Sequence, residues 1–255
     1  GIDYVYIPLP VTPADLAKAI AGFEAISLVG FNVTIPHKQA IIPYLTDITP
    51  SAKMVGAVNT VWRTETGWKG TNTDVAGFIA PLQNLDRDWS KITPVILGNG
   101  GAARAVVTGL KELGCPQIHV VGRDREKLDK FSHSWQNIPQ ISSILQTHLW
   151  SELANLLSNT QLLVNTTPVG MSPHQAASPV DASLMQKLSA NAIAYDLIYT
   201  PNPTQFLKLA KQQGAMAIDG LEMLVQQGAS ALQIWLQQSV PIDSMRESLR
   251  AYLKL

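Results

Sequence analysis

The stretch VILGNGGAARAVV, residues 95–107, decides the fold that the sequence predicts. Its apolar start reads as a strand, and Gly98-x-Gly100-x-x-Ala103 then opens an amphipathic helix, which is the dinucleotide-binding fingerprint with alanine in its third place. Gly98 allows a tight turn, Gly100 lets a pyrophosphate approach the backbone, and Ala103 lets helix and strand pack closely. The alternative is a glycine-rich turn that binds nothing. The candidate cofactor-binding residues of this turn are Gly98, Asn99, Gly100, Gly101 and Ala102.

Short β-branched stretches alternate with helical patterns around this turn. We predict strands at 93–97, 117–121, 161–165 and 192–196, and helices near 101–113, 124–134, 150–157 and 203–213. This alternation indicates a parallel, doubly wound sheet. From Gly220 onward the pattern predicts two helices and no further strand.

The N-terminal part has a different pattern. We predict a strand at 2–7, a helix over 12–26 with Thr12 as its cap, a strand near 28–34, a helix after Pro36, a hairpin in which 57–62 and 67–72 flank the turn RTET, and a helix over 75–85. The predicted fold class is therefore α/β with two domains. A Rossmann-type doubly wound parallel sheet spans 74–219, and a smaller α/β substrate domain is discontinuous, made of 1–73 and 220–255.

Composition excludes several classes of protein. The chain has 255 residues, of which 46% are hydrophobic, and no net charge, so neither nucleic acid nor an anionic membrane surface is an expected partner. A run of about 18 apolar residues, as a membrane span requires, is missing from the sequence. The single cysteine, Cys115, excludes an internal disulfide and favours the reducing cytoplasm. Monomer and homodimer both remain open.

The end of the second predicted strand, in VVGRDREK, bears on the choice between NAD and NADP. An enzyme that uses NAD places an acid here for the ribose 2′-hydroxyl, whereas one that uses NADP places an arginine near the 2′-phosphate. Gly122 stands at the acid's place and Arg123 follows, which favours NADP. Asp124 complicates this interpretation, but it also suits capping the next helix. An ordinary solvated arginine is the alternative for Arg123.

Polar residues also follow the next two predicted strands, in NTTPVGM and YDLIYTPNP. Because ligands of such sheets bind beyond the carboxyl ends of the strands, Asn165 and Thr166 are candidates to contact a ribose, and Met171 to border the nicotinamide. Turn chemistry for Asn165 and core packing for Met171 are equally good alternatives.

A second group of polar candidates lies before, within and after the predicted hairpin and at the start of the C-terminal helices. FNVTIPHK places Lys38 at the start of the helix predicted after Pro36, where the positive end of the helix disfavours a cation. GAVNTV places Asn59 inside an apolar strand, and GTNTD places Asp74 where it can cap a helix. DGLEMLVQQGA places Gly220, Met223 and Gln227 on one helix face.

Together these stretches resemble the shikimate dehydrogenase family in order and spacing, over nearly the whole chain. The resemblance implies reduction of 3-dehydroshikimate to shikimate with NADPH in aromatic amino acid biosynthesis. It places the catalytic lysine on Lys38 and its partner carboxylate on Asp74. It also implies substrate contacts and cofactor contacts. The substrate-binding candidates are Thr34, Lys38, Asn59, Asp74, Tyr199 and Gln227, and the further cofactor-binding candidates are Arg123, Thr166, Met171, Gly220 and Met223.

The family begins with a strand and a Ser-x-Ser turn that holds the substrate carboxylate, so we expect about thirty residues to precede Gly1. The family's Asn-Arg-Thr pocket for the 2′-phosphate stands here as Gly122-Arg123-Asp124. Lys38 is expected to donate the proton that ketone reduction needs, helped by the helix start, while Asp74 orients it; the reverse assignment remains open. A quinate/shikimate dehydrogenase with looser cofactor choice and a non-catalytic NADP sensor are the competing hypotheses.

Overall fold

The computed structural model describes residues 3–255. The chain divides into two compact units, Gly1–Asn72 and Thr73–Leu255, each with its own β-sheet and hydrophobic core. This boundary lies next to the one predicted at residue 73. The helices after Gly220 belong to the second compact unit; their assignment to the substrate domain is a functional one and stays a prediction.

The first unit is a small α/β unit. Its helices and strands are α1 (Leu16–Ala25), β1 (Gly30–Asn32), β2 (Asp47–Ile48), α2 (Pro50–Val55), β3 (Thr60–Thr64) and β4 (Gly67–Thr71). The strands form one sheet in the order β1-β3-β4-β2. Strands β3 and β4 pair antiparallel from Thr60–Thr71 to Thr64–Gly67, which confirms the predicted hairpin. Trp68 and the apolar face of α1 contribute to its core.

Two predictions for the first unit are wrong. Ile2 lies outside the described residues, and 3–12 contains no strand. Its apolar side chains are exposed, Val5 by 86%, and alternation produces a strand only where a neighbour supplies the hydrogen bonds. Thr12 stands before the first helical turn as predicted, but its hydroxyl donates to Asp15 Oδ2 over 2.8 Å instead of capping the backbone.

The helix predicted after Pro36 is also missing. The backbone N–H of His37 donates to the carbonyl of Thr34, and that of Ile41 donates to the carbonyl of His37. Turns therefore occupy this stretch, and a short 3₁₀ turn, Ile42–Tyr44, follows. Pro43 is the physical reason, because it has no N–H to donate in the second turn of a helix.

The second unit is a doubly wound sheet. Its helices and strands are α3 (Asp74–Gln83), β5 (Val95–Leu97), α4 (Gly101–Leu113), β6 (Ile118–Gly122), α5 (Arg125–His133), α6 (Pro139–Ser142), β7 (Leu145–Leu149), α7 (Leu153–Leu157), β8 (Leu162–Asn165), α8 (Ala182–Met185), β9 (Ile193–Asp196), α9 (Gln205–Gln212), β10 (Met216–Ile218), α10 (Leu221–Leu236) and α11 (Ile242–Leu253). The parallel strands follow the order β10-β9-β8-β5-β6-β7. This is the Rossmann order, with β5 at the centre.

The four predicted strands are the four central strands of this sheet. The sequence patterns missed β7 and β10, which extend it at its two edges, together with the short helices α6 and α8. The last strand, β10, pairs with β9 from Met216 to Ile218, so no strand follows Gly220 among the described residues, as predicted. Edge strands are covered on fewer sides, and their weaker hydrophobic pattern is the reason that they were missed.

A close approach of two helices shapes the end of the second unit. A Cβ on Gly77 of α3 would lie 2.7 Å from the carbonyl oxygen of Met223 in α10, so only glycine fits there. Helix α11 is held to α10 by a bidentate ion pair, in which Arg246 Nε and Nη2 lie 2.7 and 2.8 Å from the carboxylate oxygens of Glu222. The described residues contain no helix that is long and apolar enough to cross a membrane.

Cys115 lies just after α4, and its side chain is buried. Burial raises the pKa of its thiol to about 12, because the apolar surroundings disfavour the thiolate.

Candidate active site

The glycine turn has the geometry of a phosphate-binding loop. It lies between the carboxyl end of β5 and the first turn of α4. Gly98 has φ +99°, and a Cβ there would lie 2.9 Å from Thr166 Oγ1, so this position requires glycine. A Cβ on Gly100 or Gly101 would meet nothing within 4 Å. This open space beside free helix N–H groups fits a pyrophosphate.

The end of β6, where an NAD enzyme places its acid, is crowded by neighbouring side chains. A Cβ on Gly122 would lie 2.8 Å from Leu128 Cδ2 and 3.1 Å from Asn99 Oδ1. The carboxylate of Asp124 accepts a hydrogen bond from the N–H of Lys127 over 3.1 Å and so caps α5, which confirms the capping role predicted as one alternative for this residue. Arg123 is exposed, and its guanidinium faces the ring of Trp150.

The ends of β8 and β9 are joined by a buried carboxylate. Asp196 Oδ1 accepts hydrogen bonds from Asn165 Nδ2 (2.9 Å) and the N–H of Ile198 (3.1 Å), and its Oδ2 accepts one from Thr204 Oγ1 (2.7 Å). Burial, reinforced by the nearby charge of Asp219, outweighs these three donors and raises the pKa of Asp196 to about 6. The carboxyl thereby fixes the loop that follows β9 and the start of α9.

Asn165 is part of this internal network, so the expectation that it contacts a ribose is wrong. Its amide donates to Asp196, and its Oδ1 accepts from the N–H and the hydroxyl of Thr167. The side chain is completely buried, and its polar atoms make hydrogen bonds within the turn, as the alternative prediction for Asn165 stated. Thr166 is half-buried and donates its hydroxyl to the carbonyl of Leu97 over 2.7 Å, at the start of the glycine turn.

Other cofactor and substrate candidates lie at this same edge of the sheet. Met171 and Tyr199, in the loops after β8 and β9, are 44% and 37% exposed. Gly220 donates its N–H to the carbonyl of Ile198, and a Cβ on Gly220 would lie 2.2 Å from the carbonyl oxygen of Leu197. The start of α10 is therefore fixed directly against the loop that carries Tyr199.

In the first unit, the polar candidates surround the start of β3. Asn59 is 3% exposed, its Oδ1 accepts from the hydroxyl of Thr60, and its carbonyl accepts from the N–H of Val33. The carbonyl of Lys38 accepts from the N–H of Val58 over 2.7 Å, so the lysine's backbone is anchored beside Asn59. Thr34 is exposed four residues earlier. Because Lys38 lies in a turn, the expected effect of a helix start on this lysine is wrong.

In the second unit, Asp74 and Gln227 lie on neighbouring helices. Asp74 is the first residue of α3 and Thr73 precedes it as the N-cap, so the predicted capping role of Asp74 is wrong. The carboxylate is 9% exposed at the positive end of the helix, where negative charge is stabilised. Gln227 is half-buried in α10, and its Cβ lies 2.9 Å from the place that a Cβ on Gly77 would take. Met223 is half-buried one helical turn earlier.

Two residues of this region were missed by the sequence analysis. Asp196 is the last residue of the strand predicted at 192–196, and an acid at the end of an apolar strand needs hydrogen-bond partners where it is buried. For Trp150, the sequence pattern predicts only the start of a helix. Its contact with Arg123 depends on the pairing of β6 with β7, and β7 was not predicted.

A cavity of about 500 Å³ lies between α1 and the turn that joins β3 to β4. Its lining includes Ile20, Glu24, Tyr44, Glu65 and Trp68, and contains none of the predicted site residues. Residues 3–255 contain no cluster of three or more histidine, cysteine or acidic side chains that would hold a metal ion.

Comparison with known proteins identifies the family. A family model described as the shikimate dehydrogenase substrate binding domain matches residues 1–61, and one described as the shikimate 5'-dehydrogenase C-terminal domain matches residues 220–250. Shikimate dehydrogenase (NADP(+)) of Gloeothece citriformis is 65% identical over 255 residues, which cover 100% of this chain and 88% of that protein. The chain belongs to the shikimate dehydrogenase family.

Solved structures of shikimate dehydrogenases have the same fold. A crystal structure of shikimate dehydrogenase in complex with NADP+ matches with a TM-score of 0.89 at 34% identity, covering 99% of this chain and 86% of that chain. The shikimate 5-dehydrogenase of Thermus thermophilus, in complex with NADP(H) and shikimate, matches with a TM-score of 0.81 at 31% identity, covering 94% of this chain and 85% of that chain. The two-domain α/β architecture predicted from the sequence is confirmed.

Proposed function

We propose that this protein is an NADP-dependent oxidoreductase that interconverts 3-dehydroshikimate and shikimate in aromatic amino acid biosynthesis. The observation that carries the proposal is the 65% identity, over the whole chain, with a shikimate dehydrogenase that uses NADP(+). The open glycine turn after β5 supports it, because its geometry suits a dinucleotide.

The residues at the sheet edge fit NADP. Gly98, Asn99, Gly100, Gly101 and Ala102 would hold the pyrophosphate, since the open turn and the first N–H groups of α4 lie there. Arg123 would bind the 2′-phosphate, and Gly122 stands where an acid would repel that phosphate. Thr166, Met171, Gly220 and Met223 would border the remainder of the cofactor. When bound, NADPH supplies the hydride that the ketone carbon receives.

Lys38 donates the proton that the carbonyl oxygen needs during reduction, and takes it back in the reverse direction. An ammonium is a suitable general acid. The backbone hydrogen bond from the N–H of Val58 to the carbonyl of Lys38 fixes the position of the lysine's main chain. Asp74 accepts a hydrogen bond from a substrate hydroxyl and orients the lysine. Its side chain is 9% exposed at the first residue of α3.

The other polar candidates bind the substrate. Thr34, Asn59, Tyr199 and Gln227 offer hydroxyl and amide groups, which match the hydroxyls of a polyhydroxylated ring through donor and acceptor pairs. Before substrate arrives, Asn59 Oδ1 already accepts a hydrogen bond from the hydroxyl of Thr60, and Gln227 Nε2 donates one to the carbonyl of Leu224. Such preorganisation lowers the cost of ordering them on binding.

The test is an assay of shikimate-dependent NADP+ reduction, followed by absorbance of the NADPH formed. We expect the wild type to be active and Lys38→Ala to lose turnover by about 10²-fold or more, the usual effect of removing a general acid. Lys53→Ala is the matched control, because Lys53 is an exposed lysine of the same unit. Normal turnover of Lys38→Ala, or equal losses in both variants, would refute the assigned role.

The same assay decides substrate and cofactor choice. Quinate replaces shikimate and NAD+ replaces NADP+ in parallel reactions, and kcat/KM is compared for each pair. We expect the shikimate and NADP+ pair to have the highest value. Higher kcat/KM with quinate or NAD+ would point to a quinate/shikimate dehydrogenase, and no turnover with any pair would contradict an enzymatic role.

We infer that the reaction takes place in the cytoplasm, on a small-molecule substrate. The buried, reduced Cys115 is compatible with a reducing compartment. Whether the enzyme is a monomer or a homodimer is measured by light scattering at assay concentrations.

A further inference from the structure

Two arginines follow β6, and their partners differ. Arg125 Nη2 lies 3.7 Å from Glu152 Oε2, so this cation is paired with a carboxylate. The guanidinium carbon of Arg123 lies 5.2 Å from the ring centroid of Trp150, within the range of a cation–π contact. Trp150 and Glu152 begin and end the same 3₁₀ turn, directly after β7. The turn that follows the edge strand β7 thus contacts both arginines.

The ring of Trp150 is held in a fixed position. Its half-buried ring packs against the hydrophobic core of the second unit. Strand β7 pairs with β6 up to Gly122 and Leu149, immediately before both partners. The turn that carries Trp150 is also fixed, because Glu152 Oε2 accepts a hydrogen bond of 2.6 Å from the N–H of Leu149. The face that Trp150 presents to Arg123 is therefore set by the sheet and the core.

A stacked guanidinium is well suited to bind a phosphate. Stacking uses the flat face of the group and leaves its edge N–H groups available for paired hydrogen bonds to phosphate oxygens. An exposed arginine otherwise samples many rotamers, and ordering it on binding is unfavourable. The contact with Trp150 removes part of this freedom before the ligand arrives.

We propose that Trp150 is a positioning residue for cofactor specificity: it holds Arg123 in place to bind the 2′-phosphate of NADP. This inference rests on the proposed use of NADP. Arg125 pairs with Glu152, and Arg123 is the cation that lies over the ring. The choice between NADP and NAD therefore depends on the end of β7 as well as on the residues that follow β6.

The test compares two fragments that differ only in the 2′-phosphate, 2′,5′-ADP and 5′-AMP, by isothermal titration calorimetry. We expect Trp150→Leu to lower the preference for 2′,5′-ADP about 5-fold, the effect of a cation–π contact of ordinary strength. Trp150→Phe keeps an aromatic face and should restore most of the preference. Trp89→Leu is the matched control, because Trp89 is a half-buried tryptophan that also begins a 3₁₀ turn of the second unit.

A double-mutant cycle shows whether Trp150 acts through the arginine. In an Arg123→Leu background, Trp150→Leu should have no further effect on the preference, since the group that it positions is gone. Unchanged preference in Trp150→Leu, or equal weakening of both fragments, would overturn the inference. A wild type that binds 5′-AMP as tightly as 2′,5′-ADP would instead overturn the proposed use of NADP. Melting temperatures measured on every variant separate these results from unfolding.

Discussion

The side-chain amide of Asn165 donates a hydrogen bond of 2.9 Å to the buried carboxylate of Asp196, which joins the carboxyl ends of β8 and β9. The same carboxylate accepts from Thr204 at the start of α9. A single acid therefore fixes the loops that carry Thr166, Met171 and Tyr199, and the shape of the proposed cofactor edge depends on it.

Asp196→Ala should lower the free energy of unfolding by about 2–4 kcal/mol, because it leaves three buried donors without an acceptor. Urea unfolding followed by circular dichroism measures the change. Asp129→Ala, which removes an exposed acid from α5, is the control and should have little effect. If the two variants were equally stable, the network would contribute nothing to the fold.

The raised pKa of Asp196 predicts a specific pH dependence of stability. The carboxyl titrates at about 6 in the folded protein and at about 4 in the unfolded chain. Between these values the folded state binds more protons, so this group's contribution to the free energy of unfolding falls as the pH rises, by up to about 3 kcal/mol, and is level above pH 6. Unfolding of wild type and Asp196→Asn from pH 4 to pH 7 tests this. Parallel curves for the two proteins would contradict it.

Two glycines of the same turn should respond differently to alanine. Gly98→Ala forces a side chain into a left-handed backbone 2.9 Å from Thr166 Oγ1 and should cost about 2 kcal/mol of stability or more. Gly101→Ala meets no neighbour, so stability should be retained, while the added methyl occupies space that the proposed phosphate site needs. Thermal unfolding and NADP+ titration separate the two effects. A stable Gly98→Ala variant would show that the turn can adopt another backbone conformation.

Tyr195→Phe should stabilise the protein by about 1 kcal/mol. The Tyr195 hydroxyl is buried and has no hydrogen-bond partner among the described residues. Its ring stacks on Phe78 with centroids 5.2 Å apart, a contact that phenylalanine keeps. The control is Tyr252→Phe, at an 83% exposed tyrosine of α11. A clear loss of stability in Tyr195→Phe would indicate that a buried water satisfies the hydroxyl.

Arg246→Leu should weaken the attachment of α11, because it breaks the bidentate pair with Glu222. Both side chains are 28% exposed, so we expect a loss of about 1 kcal/mol rather than the larger effect of a buried pair. Amide hydrogen exchange measures this: relative to the wild type, Arg246→Leu should exchange faster in α11 and little faster in α10. Glu247→Ala, an exposed neighbour on α11, is the control.

Local patterns were sufficient for the central strands and the glycine turn, because a buried parallel strand followed by glycine and an amphipathic helix has few alternative structures. They failed where structure depends on distant partners. The alternation at 3–7 has no pairing strand among residues 3–255, and the short edge strands β7 and β10 are defined mainly by their neighbours. The helix expected at Lys38 is absent for a local reason, because Pro43 has no N–H to donate in its second turn.

The same limit applies to the site. Motifs identified the polar residues individually, including Lys38, Asn59 and Asp74, but not what each contacts. Asn165 was expected to contact the ligand and is occupied by its own loop, whereas Asp196 and Trp150 were overlooked because their partners come from other strands. Side chains whose role depends on tertiary contacts are beyond what spacing along the chain predicts.

Because its one cysteine is sealed in the interior as a protonated thiol, the native protein should tolerate oxidants and alkylating reagents that inactivate enzymes with reactive thiolates. The rate at which Cys115 becomes labelled then reports how often the second unit opens, without any added probe.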